Sequence, residues 1–340
     1  MNNLSLPKIF DQYQDDIISY TKSFYKELND DLYTTHKYFL GWIDESGLES
    51  NSSGKSFRPS LMMLINESLG GQKNNILPLA MSIELFHNFS LIHDDIEDRD
   101  EIRRNRKTVW KIWGEPKGII SGNSMHSLAS EAINLLPESL NEKKVFLRKL
   151  INRTCLSVIE GQYLDISFED TFEIRVENYL EMISKKTGAL IETSAILGCS
   201  LEKTSIENIS LFTKLGKLFG QIFQIKDDYL GIWGDQTLGK PIGSDIIKKK
   251  KSLPILHLIQ SSKERDKKTI NNIFSQKLID EKSKKIILDL MQMYDVNSYC
   301  QEILESKFII CKEIIDKLDI SGVYKKDLHN INTFLMYRKL

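Results

Sequence analysis

The chain has 340 residues, 41% hydrophobic and 27% charged, an ordinary globular balance that excludes a disordered chain. Its 46 Lys+Arg against 47 Asp+Glu leave a net charge of -1, which disfavours nucleic-acid binding driven by bulk charge. Only 7 prolines and 18 glycines favour long helices over many short strands with tight turns.

In chain order, residues 1–16 lack a basic start followed by an apolar stretch, so no secretory signal is read there. No apolar run approaches the ~18 residues needed to span a bilayer. A soluble, cytoplasmic protein is expected. Asp44–Ser56, DESGLESNSSGKS, reads as a helix–helix loop, too short for a domain boundary. Ile76–Ile96 is dense in apolar residues at helical spacing. Further breaks are read near Gly70–Asn75, Gly114–Gly122, Ser200–Ser205 and Gly234–Pro254. In Leu211–Tyr229, Leu211, Leu215, Leu218, Ile222 and Ile225 form one stripe, widened by Phe212, Phe219 and Phe223 until most of that helix is buried. Gly216 and Gly220, one turn apart, leave room for a close neighbour. Ile286–Met293 and Phe308–Leu318 also have helical spacing, but no chemistry is read in them. No alternating pattern demands a sheet, and no repeat of fixed period occurs. The expected architecture is all-α: a single domain over 1–340 built from about ten or more helices. Cys155, Cys199, Cys300 and Cys311 form no CxxC pair or metal-ligand spacing and are read as buried, reduced thiols.

Two acidic clusters each end an apolar helix. The first is His93-Asp94-Asp95-Ile96-Glu97-Asp98, in which Asp94 and Asp98 are one turn apart and share a face. Crowded carboxylates repel by up to ~1 kcal/mol per pair even in water, and by more when partly buried. A solvated helix end would tolerate that, and so would a cation. Mg²⁺ suits oxygen-only ligands that leave room for substrate phosphates. The second cluster is Gln224-Ile225-Lys226-Asp227-Asp228. Two such pairs, facing each other across a cavity, would hold several Mg²⁺ ions. Lys55, Arg58, Arg103, Arg104, Lys240 and the run Lys248–Lys251 surround them in sequence. Metal ions and guanidinium forks together suit a polyanion such as diphosphate.

In these motifs the chain resembles the trans-isoprenyl diphosphate synthases, or polyprenyl synthetases, from about Tyr38 to about Ile259. The segments are GKSFRP (Gly54–Pro59), FHNFSLIHDDIEDRDEIRR (Phe86–Arg104), GQYLD (Gly161–Asp165), KTG (Lys186–Gly188), FQIKDD (Phe223–Asp228) and GKPIGSD (Gly239–Asp245) with KKKKSLP (Lys248–Pro254). The resemblance implies helices around a central cavity, the isoprenoid synthase type I fold, usually as a homodimer. It implies dependence on Mg²⁺, about three ions per active site. Asp94, Asp95 and Asp98 match the first metal-binding motif; Asp227 and Asp228 match the second. Arg103, Lys186, Lys240 and, by its distance from Pro254, Lys250 match residues that clamp the allylic diphosphate. Lys55, Arg58, His87 and Arg104 match residues that bind isopentenyl diphosphate. Thr187 and Gln224 match positions lining the reacting carbons. The implied reaction is head-to-tail (1'-4) condensation of isopentenyl diphosphate with an allylic diphosphate, in a dry cavity that protects a carbocation.

The sequence departs from that pattern in three places. Gly231 stands where the second motif usually has a third Asp, with Asp235 four residues on. Asn105 stands where a Gly commonly follows the two arginines. Gly122-Asn123 stands for a frequent Gly-Asp. Phe89, five residues or about 7.5 Å before Asp94 on one helix, and Ser90, four before, are read as the chain-length determinants. An aromatic at that place beside a small residue resembles enzymes making C20 geranylgeranyl diphosphate. C15 farnesyl diphosphate is the alternative product. A terpene cyclase and a non-catalytic partner subunit are the alternative classes.

Overall fold

The computed structural model describes residues 5–28, 30–169, 171, 174–234 and 242–338. Its described residues group into two compact units. The first comprises Pro7–Cys155 and Thr193–Ile209; the second comprises the described parts of Leu156–Glu192 and Ser210–Leu340, with the residues before Pro7.

The first unit begins with α1 (Ile9–Tyr25), which buries Phe10, Tyr13, Ile17, Thr21 and Tyr25 along one face. After α2 (Leu32–Phe39) comes the loop read from the sequence, then α3 (Phe57–Ser68) and α4 (Lys73–Glu97). α4 is buried on nearly all sides until its last turn, where acids replace apolar residues. The chain next forms a two-residue antiparallel ribbon, β1 (Ile102–Arg103) with β2 (Arg106–Lys107). Arg104 and Asn105 turn between the strands with φ of 51° and 59°. Asn is the residue that best replaces Gly in that left-handed region, which accounts for Asn105. α5 (Val109–Trp113) and α6 (Glu115–Glu131) follow.

The break expected over Gly114–Gly122 is confined to Gly114; the rest is helical. Gly122 serves packing: a Cβ there would lie 2.1 Å from the His93 ring. That gap lets the acidic end of α4 settle on α6, where His93 Nε2 meets the Ile119 carbonyl at 3.2 Å.

α7 (Asn141–Glu169), α9 (Ala189–Ser200) and α10 (Ile206–Trp233) pass from one unit into the other along the chain. In the second unit, α8 (Val176–Ile183) leads into one π turn, Ser184–Gly188. Beyond α10, the short α11 (Ser244–Ile247) and α12 (Leu253–Ser261) precede α13 (Glu264–Phe274), α14 (Glu281–Met293), α15 (Val296–Lys317) and α16 (Gly322–Tyr337). α12 packs on α8, α14 and α15, and α15 on α16. The C-terminal helices therefore complete this unit's core. Among the described residues no helix is long and apolar enough to cross a membrane. All four cysteines are free and buried, and burial raises Cys199, Cys300 and Cys311 to about 12.

Candidate active site

In the first unit the functional side chains gather at the end of α4. Arg103, on β1, donates through Nε to Asp95 Oδ1 at 2.6 Å and through Nη2 to Asp94 Oδ2 at 3.2 Å. Asp95 is 1% exposed, and its Oδ2 has no hydrogen-bond partner among the described residues. Burial raises its carboxyl to about 6 against the lowering by Arg103. Burial also lowers the Arg103 guanidinium, but Asp95 and Asp94 outweigh it and the net shift is upward. Asp98 caps α4 and is exposed.

About two to three turns back from Asp94 along α4, a second set forms around His87. Arg58, in the first turn of α3, donates through Nη1 to His87 Nε2 at 3.0 Å. Burial, and then Arg58, Arg104 and Arg103, hold His87 well below its ordinary pKa. The ring is neutral and accepts. Burial brings Arg58 down to about 10, opposed by Glu84. Gly54 lies against the Arg104 guanidinium: a Cβ there would be 2.8 Å from Nη2. The exposed Lys55 is its chain neighbour. Glu84, which sequence reasoning missed, accepts from Ser56 Oγ at 3.3 Å and Asn88 Nδ2 at 3.2 Å. It sits one turn before His87, and only the fold reveals it as the acid facing Arg58 and Arg104.

Phe89 is 6% exposed. Its ring meets His126 of α6 edge-on at 5.0 Å and Phe86 at 5.7 Å between centroids. Ser90 is half-buried, and its hydroxyl donates to the His87 carbonyl at 2.8 Å.

In the second unit, the π turn carries Lys186 and Thr187. Such turns widen a helix locally and are frequent at functional sites. Lys186 Nζ donates to Asp165 Oδ2 at 2.6 Å. Thr187 Oγ1 donates to Gln224 Oε1 at 2.7 Å, and Gln224 Nε2 donates to Asp228 Oδ1 at 3.0 Å. Asp228 also accepts from Tyr179 Oη at 2.6 Å and Lys250 Nζ at 2.8 Å. At 1% exposure it is a filled hub. Burial opposes the charge on Lys250, but Asp228 and Asp245 outweigh it and raise its pKa. Asp227 is more open and accepts from Arg338 Nη2 at 3.2 Å. Sequence reasoning gave no signal for Arg338 or Tyr179. Asp165 and Asp245 lay inside quoted motifs without a role. Lys240 and Asp235 lie outside the described residues.

The donor set fits Mg²⁺. Among the described residues no three His, Cys, Asp or Glu side chains converge as a closed cage. Mg²⁺ keeps several waters and is held by one or two carboxylates plus substrate phosphates, which Asp94, Asp98 and Asp227 can offer. A buried acid with an unpartnered oxygen, Asp95, adjoins the first set.

A cation set for anions, carboxylates for a hard cation and an all-helical frame define an enzyme class that works on diphosphates. The chain belongs to the polyprenyl synthetase family, whose model matches residues 42–291. It is 35% identical over 289 residues to a short chain isoprenyl diphosphate synthase of Methanothermobacter thermautotrophicus, covering 85% of this chain and 87% of the relative. It is 40% identical over 220 residues to a (2E,6E)-farnesyl diphosphate synthase of Mycobacterium bovis, covering 64% of this chain and 60% of that one. The crystal structure of geranylgeranyl pyrophosphate synthetase from Pyrococcus horikoshii matches with a TM-score of 0.86 and 31% identity, over 98% of this chain and 99% of that one.

Proposed function

We propose that the protein is a Mg²⁺-dependent trans-prenyltransferase that condenses isopentenyl diphosphate head-to-tail with an allylic diphosphate, releasing C20 geranylgeranyl diphosphate. The observation that carries this reading is the Arg58–His87 pair beside Arg104, a cationic set distinct from the Asp94–Arg103 pair. A cyclase that ionises one allylic diphosphate has no use for it. The family match runs through both units, which supports reading 1–340 as one polyprenyl synthetase domain.

Mg²⁺ bound at Asp94, Asp98 and Asp227 supplies the positive charge that makes diphosphate a better leaving group. Arg103 in the first unit, and Lys186 and Lys250 in the second, are the cations that this reading gives to the allylic diphosphate. Gln224 and Thr187, joined by the hydrogen bond from Thr187 Oγ1 to Gln224 Oε1, are the amide and hydroxyl that would steady positive charge on the reacting carbons. Lys55, Arg58 and Arg104 hold isopentenyl diphosphate, and the neutral His87 fixes the Arg58 fork. The double bond of isopentenyl diphosphate attacks the allylic carbon as its C–O bond breaks. The proton lost afterwards goes to the released diphosphate. Asp228 holds Gln224 and Lys250 in place, so the metal-ligand role in this motif falls to Asp227.

Phe89, backed by His126 and Phe86, would end the space for the growing chain. C15 farnesyl diphosphate is the second reading, favoured by the 40% identity to the Mycobacterium farnesyl diphosphate synthase. Leu156, Ile159, Tyr163 and Ile166 repeat every three or four residues on α7 and are 41 to 72% exposed. That stripe has the spacing of a helix–helix seam and supports a homodimer, which light scattering of the purified protein tests.

The deciding experiment supplies Mg²⁺, isopentenyl diphosphate and, separately, dimethylallyl, geranyl or farnesyl diphosphate, then sizes the released alcohols. A C20 product is expected. A C15 product keeps the chemistry and overturns the length. Hydrocarbon formed without isopentenyl diphosphate moves the protein to the cyclases. No turnover with any primer makes it a partner subunit.

A further inference from the structure

We propose that a cavity walled by α1, α3 and α4 binds a small organic cation, an ammonium group carried on a short apolar body. The cavity opens at the end of α3 and the start of α4, away from Arg58 and Asp94. The inference stands apart from the prenyltransferase reading, because none of its residues belongs to the acidic motifs or the cationic sets.

The cavity has a volume of about 330 Å³, within the range of small-molecule sites. It lies wholly in the first unit. Ile76, in its α4 wall, is about 27 Å along the helix from Asp94. Met63 and Ile76 give the wall apolar surface and are 2% and 1% exposed. Tyr13, Asn66 and Glu67 bring oxygen atoms to it. The Tyr13 hydroxyl donates to Glu67 Oε2, so its proton is committed and its oxygen can accept.

Asn66 marks where a donor is missing. It is 1% exposed and lines the cavity. Its Nδ2 donates to the Gly198 carbonyl at 3.3 Å, which fixes the orientation of the amide. Its Oδ1 accepts no hydrogen bond from the described residues. An oxygen on so buried a side chain calls for a donor. Gly71 leaves it uncovered: a Cβ there would lie 2.2 Å from Oδ1. Lys73 is the cation of the wall, and its Nζ donates to Asp16 Oδ1 at 2.9 Å. Lys73, Asp16 and Glu67 together carry a net negative charge, which favours a cation. An ammonium supplies three donors from one atom, enough for Asn66, Glu67 and Tyr13. Water alone would fill the same space without regard to a solute's charge, and this separates the two accounts.

The test uses the full-length protein with its 9 methionines labelled at the ¹³C-methyl, and the Met63 signal assigned by its loss in Met63→Leu. Mg²⁺ and inorganic diphosphate are present throughout, to occupy the acidic motifs. The probe is n-butylammonium, with n-butanol and butyrate as its neutral and anionic counterparts. The Met63 methyl is expected to shift saturably with the ammonium, with a Kd on the order of 1 mM for so small a probe. The alcohol and the carboxylate are expected to leave it in place. Glu67→Gln keeps the shape of the wall and removes its charge, and is expected to raise the Kd ~5- to ~10-fold. Gly71→Ala, which pushes the Asn66 amide aside, is expected to raise it at least ~10-fold. Circular dichroism checks the fold of both variants. A Met63 signal that stays still up to ~20 mM ammonium overturns the proposal. So does an equal shift with butanol or butyrate, and so does a Kd unchanged in both natively folded variants.

Discussion

Arg338 donates to Asp227 Oδ1 at 3.2 Å and to the Phe223 carbonyl at 3.0 Å, with its guanidinium 4.1 Å from the Phe223 ring centroid. The end of α16 thereby puts a cation on the open acid of the second motif. A guanidinium and Mg²⁺ compete for the same carboxylate oxygen. With Asp227 a third exposed, the pair is worth at most about 1 kcal/mol. Arg338→Gln is therefore expected to lower the Mg²⁺ concentration for half-maximal activity roughly two- to five-fold. A rise instead would mean that the guanidinium helps to hold diphosphate.

Arg58 presents a planar fork that is aligned by a neutral imidazole. Arg58→Lys keeps the charge and loses the fork. The KM for isopentenyl diphosphate is expected to rise ~10- to ~100-fold, with the allylic KM nearly unchanged. Equal rises in both constants would contradict the assignment of separate anion sites.

Phe89 closes one side of an aromatic cluster with Phe86 and His126. Phe89→Ala opens space along α4, and the products are expected to lengthen by one or more C5 units, read by chromatography of the released alcohols. The cavity costs stability as well, by ~3 to 5 kcal/mol. Phe89→Leu, a milder change, serves as the folded control. An unaltered product distribution in both variants would remove Phe89 as the length determinant.

His36 is fully buried among Tyr25 Oη at 2.9 Å, the Ser121 carbonyl at 3.0 Å and Ser124 Oγ at 2.8 Å. Burial lowers its pKa from 6.5 to about 4, against the Ser121 carbonyl. The unfolded chain takes up this proton first as pH falls. The stability held by the neutral ring is complete above pH ~6.5 and is lost toward pH ~4, by up to roughly 3 kcal/mol. Tm is expected to fall over that range, and His36→Gln to flatten this part of the profile.

Gly220 lies against the π turn: a Cβ there would be 2.6 Å from Gly188 Cα. Helix propensity alone favours Gly220→Ala by ~1 kcal/mol. The backbone contact cannot yield, so the variant is expected to lose ~1 to 3 kcal/mol instead. The kcat is expected to fall with it, because the displaced turn carries Lys186 and Thr187. Thermal melts and initial rates on the same preparation check both.

The helices were legible because their signal is local. The stripe from Leu211 to Ile225, the dense run Ile76–Ile96 and the scarcity of proline need only the 3.6-residue period to be read. The acidic pairs were legible for a related reason: carboxylates ending an apolar run conflict with burial unless something answers them. Gly122 misled the sequence reading, because a glycine that lets helices touch looks the same as one that ends a helix.

The sequence by itself determined the helical class, the two acidic motifs, the cationic positions from Lys55 to Lys250 and the family. Each depends on residue types at short spacing along one chain. Only the tertiary structure decided what each charge rests against. It put Arg103 on Asp95, filled Asp228 with three donors, brought Arg338 to Asp227 across 111 positions and set Asp245 in the space left by Gly231. Such pairings arise when packing removes water from polar groups that are distant along the chain. Burial then forces each group to find a partner, and no local pattern records which partner that is.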